Sequence, residues 1–155
     1  AAGAPRRTLR RSRPPEARSA VSPPSLPVTT LVALFAALGT IVLALRVIRL
    51  RLRLGQGLGE GHGADDRLLR AVRTHGNFVE NVPLALVLLA LTELQVGTLA
   101  SVRVAGGALV LGRLLHASAL ARTAGPHLAR TAGVVLTWVC FLLLAVVLAW
   151  NLLPF

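Results

Sequence analysis

The last apolar segment of the chain constrains its fold most strongly. Residues 131–153 form a run of 23 residues without a single charged side chain. As a helix, such a run is long enough to cross the roughly 30 Å hydrocarbon core of a bilayer. Backbone polar groups in lipid must be satisfied within the segment itself, so a helix is the expected structure.

Three further apolar segments precede it, over about residues 29–50, 66–94 and 98–121. A glycine-rich stretch separates the first two, and Asp65 or Asp66 there is predicted to cap the helix that follows. Gly125 and Pro126 mark a turn before the last segment. We therefore predict an all-α integral membrane protein, a four-transmembrane-helix bundle over residues 28–155.

Residues 1–27 differ from the rest of the chain because they carry six arginines and one acid but no apolar run. Such a composition predicts a disordered basic tail. An alternative interpretation is that translation begins near Val28 and that the tail is an over-extended gene start, since the sequence contains no methionine.

The charge of the chain is +11, from 17 arginines and six acids. The arginines flank apolar segments, and tyrosine is absent, so membrane topology explains the charge better than nucleic-acid binding does. The positive-inside rule places the arginine-rich connections after the first and third helices in the cytoplasm. Abundant leucine, alanine and arginine without lysine suggest a bacterium with a GC-rich genome, so we expect a multi-pass protein of a bacterial inner membrane.

A polar stripe interrupts the second helix. Arg73, Asn77 and Glu80 fall on one face at 100° per residue, with Arg70 beside them and His75 on the other side. Each ionisable group at membrane depth costs about 2.5–3.5 kcal/mol, and such groups usually face a bundle interior or a hydrated cavity. The stripe therefore indicates either a ligand site or side chains paired with one another near the headgroups.

The third helix carries a second polar pair, Arg113 and His116, on one face. These two residues either anchor the helix end in the headgroups or extend a site. The single cysteine, Cys140, excludes an intrachain disulfide. The sequence shows no metal-ligand cluster, so no metal site is predicted.

These motifs together resemble a known family. The second helix contains the string HGNFVENVP, with Arg73, Asn77, Glu80 and Pro83 in register, and the third contains Gly112, Arg113 and His116 as G-R-x-x-H. With four spans, this is similar to the short bacterial members of MAPEG, the membrane-associated proteins in eicosanoid and glutathione metabolism.

The resemblance implies a homotrimer with a glutathione site at each subunit interface, open to the cytosol. The matched glutathione-binding positions are Arg73, Asn77, Glu80 and Arg113. We include in the predicted binding set their neighbours Arg70 and His116. Arg113 and Arg130 are the candidates for activating the thiol. The family's activating arginine lies near the turn between the third and fourth helices, and Arg122 is a second possible match to it besides Arg130.

Two tyrosines of the eicosanoid-forming members are replaced here, by Asn81 and Leu120, so prostaglandin or leukotriene synthesis is not predicted. We expect binding of glutathione or a related thiol, with transferase or peroxidase activity toward lipophilic electrophiles. The alternatives are a non-enzymatic trimer whose stripe serves assembly or ligand sensing, and a proton-coupled exporter that uses Glu80. Arginine neighbours argue against the exporter because they keep a carboxylate ionised.

Overall fold

The computed structural model describes residues 25–59, 66–123 and 125–153. They form four helices, α1 (Pro27–Leu54), α2 (Arg67–Val96), α3 (Ala100–Arg122) and α4 (Leu128–Leu152). Each is long and apolar enough to cross a membrane, which confirms the predicted all-α, four-span architecture. The predicted disordered tail lies outside the described residues up to residue 24, and Pro27 already begins α1.

The ends of α1 follow from local backbone chemistry. Pro27 occupies the first helical turn, where its missing N–H costs no hydrogen bond and its fixed φ favours the helix. Gly55 ends α1 in the left-handed conformation, with φ of 66° and its N–H bonded to the carbonyl of Arg51. A residue with a Cβ would be strained there.

The start of α2 differs from the prediction. Asp66 occupies the N-cap position, but its side chain makes no capping hydrogen bond. Its carboxylate instead pairs with Arg70, at 2.7 Å between Oδ1 and NH1. The cation at i+4 competes successfully for the oxygens that a cap would use. Asp65, the other predicted cap, lies outside the described residues.

The most extensive helix contact is between α3 and α4. Gly112 and Gly133 meet at this crossing, where a Cβ on Gly133 would lie 2.6 Å from the carbonyl oxygen of Gly112. Small residues allow two backbones in lipid to approach this closely. The contact fixes α3 and α4 as one unit, and it sets the position of Arg113, the residue after Gly112.

Helix α1 packs mainly on α2. The ring of Phe78 fills the space over Gly39, where a Cβ would meet its Cζ atom at 2.8 Å. Glu93 joins the two helices at the other end, because its carboxylate accepts hydrogen bonds from the backbone N–H groups of Val28 and Thr29. The hydroxyls of Thr29 and Thr98 also donate to it.

A buried hydrophobic cluster lies in the half of the bundle nearer to Glu93. Its members come from all four helices: Val32, Ala85, Leu89, Val102, Ala105, Leu109, Cys140 and Leu144. Cys140 is fully buried and packs within this cluster. Leu68, Ala71 and Ala119 are buried toward the opposite end, where the helices also leave an open cavity.

Candidate functional site

A cavity of about 610 Å³ opens where α2 begins, α3 ends and α4 begins. This is the end of the bundle that carries the arginine-rich connections. Six of the seven residues predicted for the site line the cavity: Arg70, Arg73, Asn77, Glu80, His116 and Arg130. The structure thus places polar groups from three helices around one space.

The α2 stripe forms one wall of this cavity. Arg70 and Glu80 are ten residues apart, about 15 Å along a helix axis. Gly76 lies between them on the same wall. A Cβ at Gly76 would contact the Oε1 atom of Glu80 at 3.9 Å, so Glu80 lies beside this glycine. His75 does not line the cavity, in keeping with its predicted direction away from the stripe.

Arg70 lines the cavity but is committed in part to Asp66. Its NH1 atom lies 2.7 Å and 2.9 Å from the two carboxylate oxygens of Asp66. Its Nε atom is buried without a hydrogen-bond partner in the described structure. Arg70 therefore brings less net positive charge to the cavity than its guanidinium alone would.

Arg113 lies behind the cavity wall, where only 3% of the residue is exposed. Its NH1 atom donates to Oδ1 of Asn77 at 2.6 Å and to the backbone oxygen of Asn77 at 3.3 Å. Its NH2 atom donates to the hydroxyl of Thr137 and to the carbonyl of Gly133 at 3.4 Å. Arg113 thus connects α2 to α4 and orients a residue that does line the cavity.

His116 and Arg130 bring α3 and α4 to the opposite wall. His116 is 7% exposed and lies within hydrogen-bonding reach of the backbone of Arg130. The Nδ1 atom of His116 is buried with no hydrogen-bond partner in the described structure. A buried nitrogen of this kind is costly unless a ligand or a water completes it.

The chemistry of the cavity favours a small zwitterion with excess negative charge. Arg73 and Arg130 each bring a guanidinium to the lining, and Glu80 brings one carboxylate. Guanidinium groups bind carboxylates through paired hydrogen bonds, and Glu80 suits an ammonium. The apolar residues Leu69, Val72 and Leu120 complete the lining and suit the less polar parts of a ligand.

Sequence reasoning missed two partners of Arg113 on α4, Thr137 and Gly133. Both lie inside the uncharged segment that first identified the chain as a membrane protein. A small residue and a hydroxyl four positions apart on one helix face are a known signal for close helix contact in membranes. That signal, however, does not say which arginine the hydroxyl meets.

Comparisons with known proteins agree with these motifs. The model of the MAPEG family matches residues 29–150. The chain is also 31% identical over 125 residues to "Inner membrane protein YecN" of Escherichia coli K12, covering 81% of this chain and 92% of that protein. The same protein from Escherichia coli O6:H1 matches with the same identity and coverage.

Proposed function

The chain belongs to the MAPEG family, as its motifs predicted, and from this premise we propose that it binds glutathione or a related thiol in the cavity between α2, α3 and α4. It is a multi-pass protein of the inner membrane. The observation that carries the proposal is the convergence of Arg73, Asn77, Glu80, His116 and Arg130 on one space of about 610 Å³. Ligand sites of small molecules typically have volumes of about 300–1,000 Å³.

Glutathione matches the charges of this cavity group by group. It carries two carboxylates, one ammonium, two peptide groups and a thiol. Arg73 and Arg130 suit the carboxylates, Glu80 suits the ammonium, and the amide of Asn77 suits a peptide oxygen. The cavity opens at the arginine-rich end that the positive-inside rule places in the cytoplasm, where such a soluble thiol is available.

We propose a homotrimer, as in the family, with each cavity next to a neighbouring protomer. Arg73 and Glu80 are exposed in the single protomer, although they lie in a membrane-spanning helix. Charged groups at membrane depth usually face a protein interior or a hydrated cavity. A neighbouring protomer that covers the mouth of the cavity would meet this requirement and still leave the cytoplasmic entrance open.

The proposed reaction is conjugation of the thiol compound, through its sulfur, to a lipophilic electrophile that enters from the bilayer. The thiolate sulfur forms a bond to the electrophilic carbon, and a leaving group such as chloride departs with its electron pair. Arg130 is the proposed activating residue, because it lines the cavity and a nearby cation favours the thiolate. Arg113 is assigned a positioning role, since its terminal nitrogens are bonded to Asn77, Thr137 and Gly133.

Native mass spectrometry of the detergent-solubilised chain with a panel of thiols tests binding and assembly together. We expect three protomers that bind glutathione, with binding weakened about ten-fold or more by Arg73→Gln or Glu80→Gln, because each removes a charge-assisted hydrogen bond. Arg103→Gln is the matched control, since Arg103 lies near the opposite end of α3. Undetectable binding of all thiols at millimolar concentration would reject the proposal.

Conjugation of glutathione to 1-chloro-2,4-dinitrobenzene, followed by absorbance, tests the enzymatic step. Arg130→Gln is expected to lower kcat while thiol binding persists. Loss of activity in Arg122→Gln instead would move the activating role to the other arginine that the sequence left open. If thiol binding is absent and Arg73→Gln dissolves the trimer, the stripe serves assembly, which is the non-enzymatic alternative.

A further inference from the structure

An apolar groove lies between α1 and α3, at the end of the bundle opposite to the cavity that we propose binds the thiol. Its volume is about 1060 Å³. Its walls are aliphatic, with Leu31, Leu34 and Leu38 on α1 and Val110, Leu111 and Leu114 on α3. The two helices touch sparsely along their length, and the lining residues Leu31, Leu34 and Leu38 are exposed, so the groove is open to the surrounding membrane.

Two glycines of α3 give the groove its shape. Gly106 lets α1 approach, because a Cβ there would meet Cγ1 of Val28 at 2.9 Å. Gly107 faces open space, since a Cβ there would meet nothing within 4 Å. The first glycine closes one side of the groove, and the second leaves room for a chain of methylenes.

The length of the groove matches one leaflet of a bilayer. Its lining on α1 runs from Pro27 to Leu38, a stretch of twelve residues that spans about 16 Å along the helix axis. Half of a hydrocarbon core of roughly 30 Å is about 15 Å. Because α1 and α3 both begin at this end, the groove starts at the membrane surface and ends near the bilayer centre.

Arg103 is the one charged residue among the described residues that line this groove. It lies in the first turn of α3 and is exposed, so its guanidinium is at the level of the headgroups. The positive end of the α3 dipole lies at the same place. Glu93, the nearby carboxylate, is 2% exposed and accepts hydrogen bonds from Val28, Thr29 and Thr98.

We propose that this groove binds an anionic glycerophospholipid of the non-cytoplasmic leaflet, with one acyl chain between α1 and α3 and the phosphate on Arg103. The apolar walls favour an acyl chain, and the cation at the surface end favours an anionic headgroup. The carboxylate of Glu93 does not compete for Arg103, because its oxygens already accept hydrogen bonds from the start of α1 and from Thr98. This proposal does not depend on thiol binding.

Native mass spectrometry of the full chain tests the proposal, with titrations of phosphatidylglycerol and, separately, of phosphatidylcholine. Phosphatidylglycerol is expected to occupy one site per protomer at lower concentration than phosphatidylcholine. Arg103→Gln is expected to weaken it about five-fold, the equivalent of about 1 kcal/mol for one basic residue at an anionic surface. Arg103→Lys is expected to retain the preference.

Gly107→Leu tests the acyl part of the site, since the new side chain occupies the groove without meeting a neighbour at its Cβ. Gly107→Leu is expected to abolish lipid binding. The control is Val104→Leu, at an exposed position of α3 outside the groove lining, which is expected to leave lipid binding unchanged. Arg103 is exposed, so Arg103→Gln carries the test if Gly107→Leu fails to fold.

Two results would overturn the proposal. If the two lipids bound equally well, and if Arg103→Gln did not change their binding, the groove would not select an anionic headgroup. A change of oligomeric mass in Gly107→Leu, with lipid occupancy independent of Arg103, would mean that a second copy of the chain occupies the groove. Neither result bears on thiol binding at the other end.

Discussion

Arg113 of α3 donates a 2.6 Å hydrogen bond to Oδ1 of Asn77 in α2, and this contact fixes which end of the amide faces the cavity between α2, α3 and α4. A guanidinium only donates hydrogen bonds, so the atom that faces it must be the amide oxygen. The NH2 group of Asn77 is therefore left for the cavity that Asn77 lines. Asn77 can then donate to an oxygen of the ligand.

Asn77→Asp separates this ligand role from stability. The carboxylate still accepts from Arg113, so the free energy of unfolding is expected to change by no more than about 1 kcal/mol. The cavity, however, loses a donor and gains a negative charge, so glutathione affinity is expected to fall about ten-fold or more. Calorimetric titration and chemical unfolding in detergent measure the two effects.

Asn151→Asp is the matched control, because it makes the same chemical change at an exposed position near the far end of α4. It should leave thiol binding unchanged. Normal binding by Asn77→Asp, combined with a large loss of stability, would contradict the orientation of the amide described above.

Arg113→Leu is expected to lower the free energy of unfolding by about 2–4 kcal/mol. The substitution leaves Oδ1 of Asn77 without its charged donor and removes the donor to the Thr137 hydroxyl, which keeps its own hydrogen bond to the carbonyl of Gly133. A buried polar group left unsatisfied costs about 1–3 kcal/mol. Arg122→Leu, at an exposed position of the same helix, should have little effect. Equal stabilities of the two variants would show that the network around Arg113 contributes nothing to folding.

The helices could be predicted from the sequence because their signals are local. Long apolar runs identify spans, and Gly55 and Gly125 mark the connections between them. The capping prediction was wrong for Asp66 because it considered only the backbone as a partner. The carboxylate can also pair with Arg70, one helical turn away, and the structure shows this ion pair in place of the cap.

The site could be predicted only as far as helical periodicity reaches. The spacing of Arg73, Asn77 and Glu80 places them on one face, and the structure shows that face lining a cavity. The meeting of Asn77 with Arg113, 36 positions later in the chain, depends on how α2 and α3 cross. The residue pattern of a single helix does not contain this crossing angle.

Glu93→Gln is expected to loosen the start of α1. The ionised carboxylate accepts from the N–H groups of Val28 and Thr29, which have no partner within α1 itself. A neutral amide keeps one acceptor oxygen and brings an NH2 group toward these donors. We expect a loss of about 2 kcal/mol in stability and faster hydrogen exchange of these two amides, measured by mass spectrometry.

The hydroxyl contact to Glu93 offers a paired control. Thr29→Val removes the 2.7 Å hydrogen bond to the carboxylate and should reproduce part of the loosening. Thr30→Val changes the exposed neighbour and should not. Unchanged exchange at the start of α1 in both Glu93→Gln and Thr29→Val would mean that Glu93 does not hold this helix end.

Gly133→Ala and Gly107→Ala form a matched pair that tests whether the α3–α4 contact depends on the absence of a side chain. At Gly133 a Cβ would lie 2.6 Å from the carbonyl oxygen of Gly112 and 2.8 Å from the backbone nitrogen of His116. Backbone atoms cannot move aside as side-chain ends do, so α3 and α4 must separate. We expect a loss of about 1–3 kcal/mol in unfolding free energy, the usual range for overpacking.

Separation of these helices should also reach the ligand site, because the carbonyl of Gly133 accepts from Arg113 and Arg113 orients Asn77. Weaker glutathione binding is therefore expected in Gly133→Ala along with lower stability. Gly107→Ala places its methyl group where no protein atom lies within 4 Å and, in lipid-free detergent, should gain up to about 1 kcal/mol from helix propensity. If the two alanine variants were equally stable, close approach at Gly133 could not be what fixes the crossing of α3 and α4.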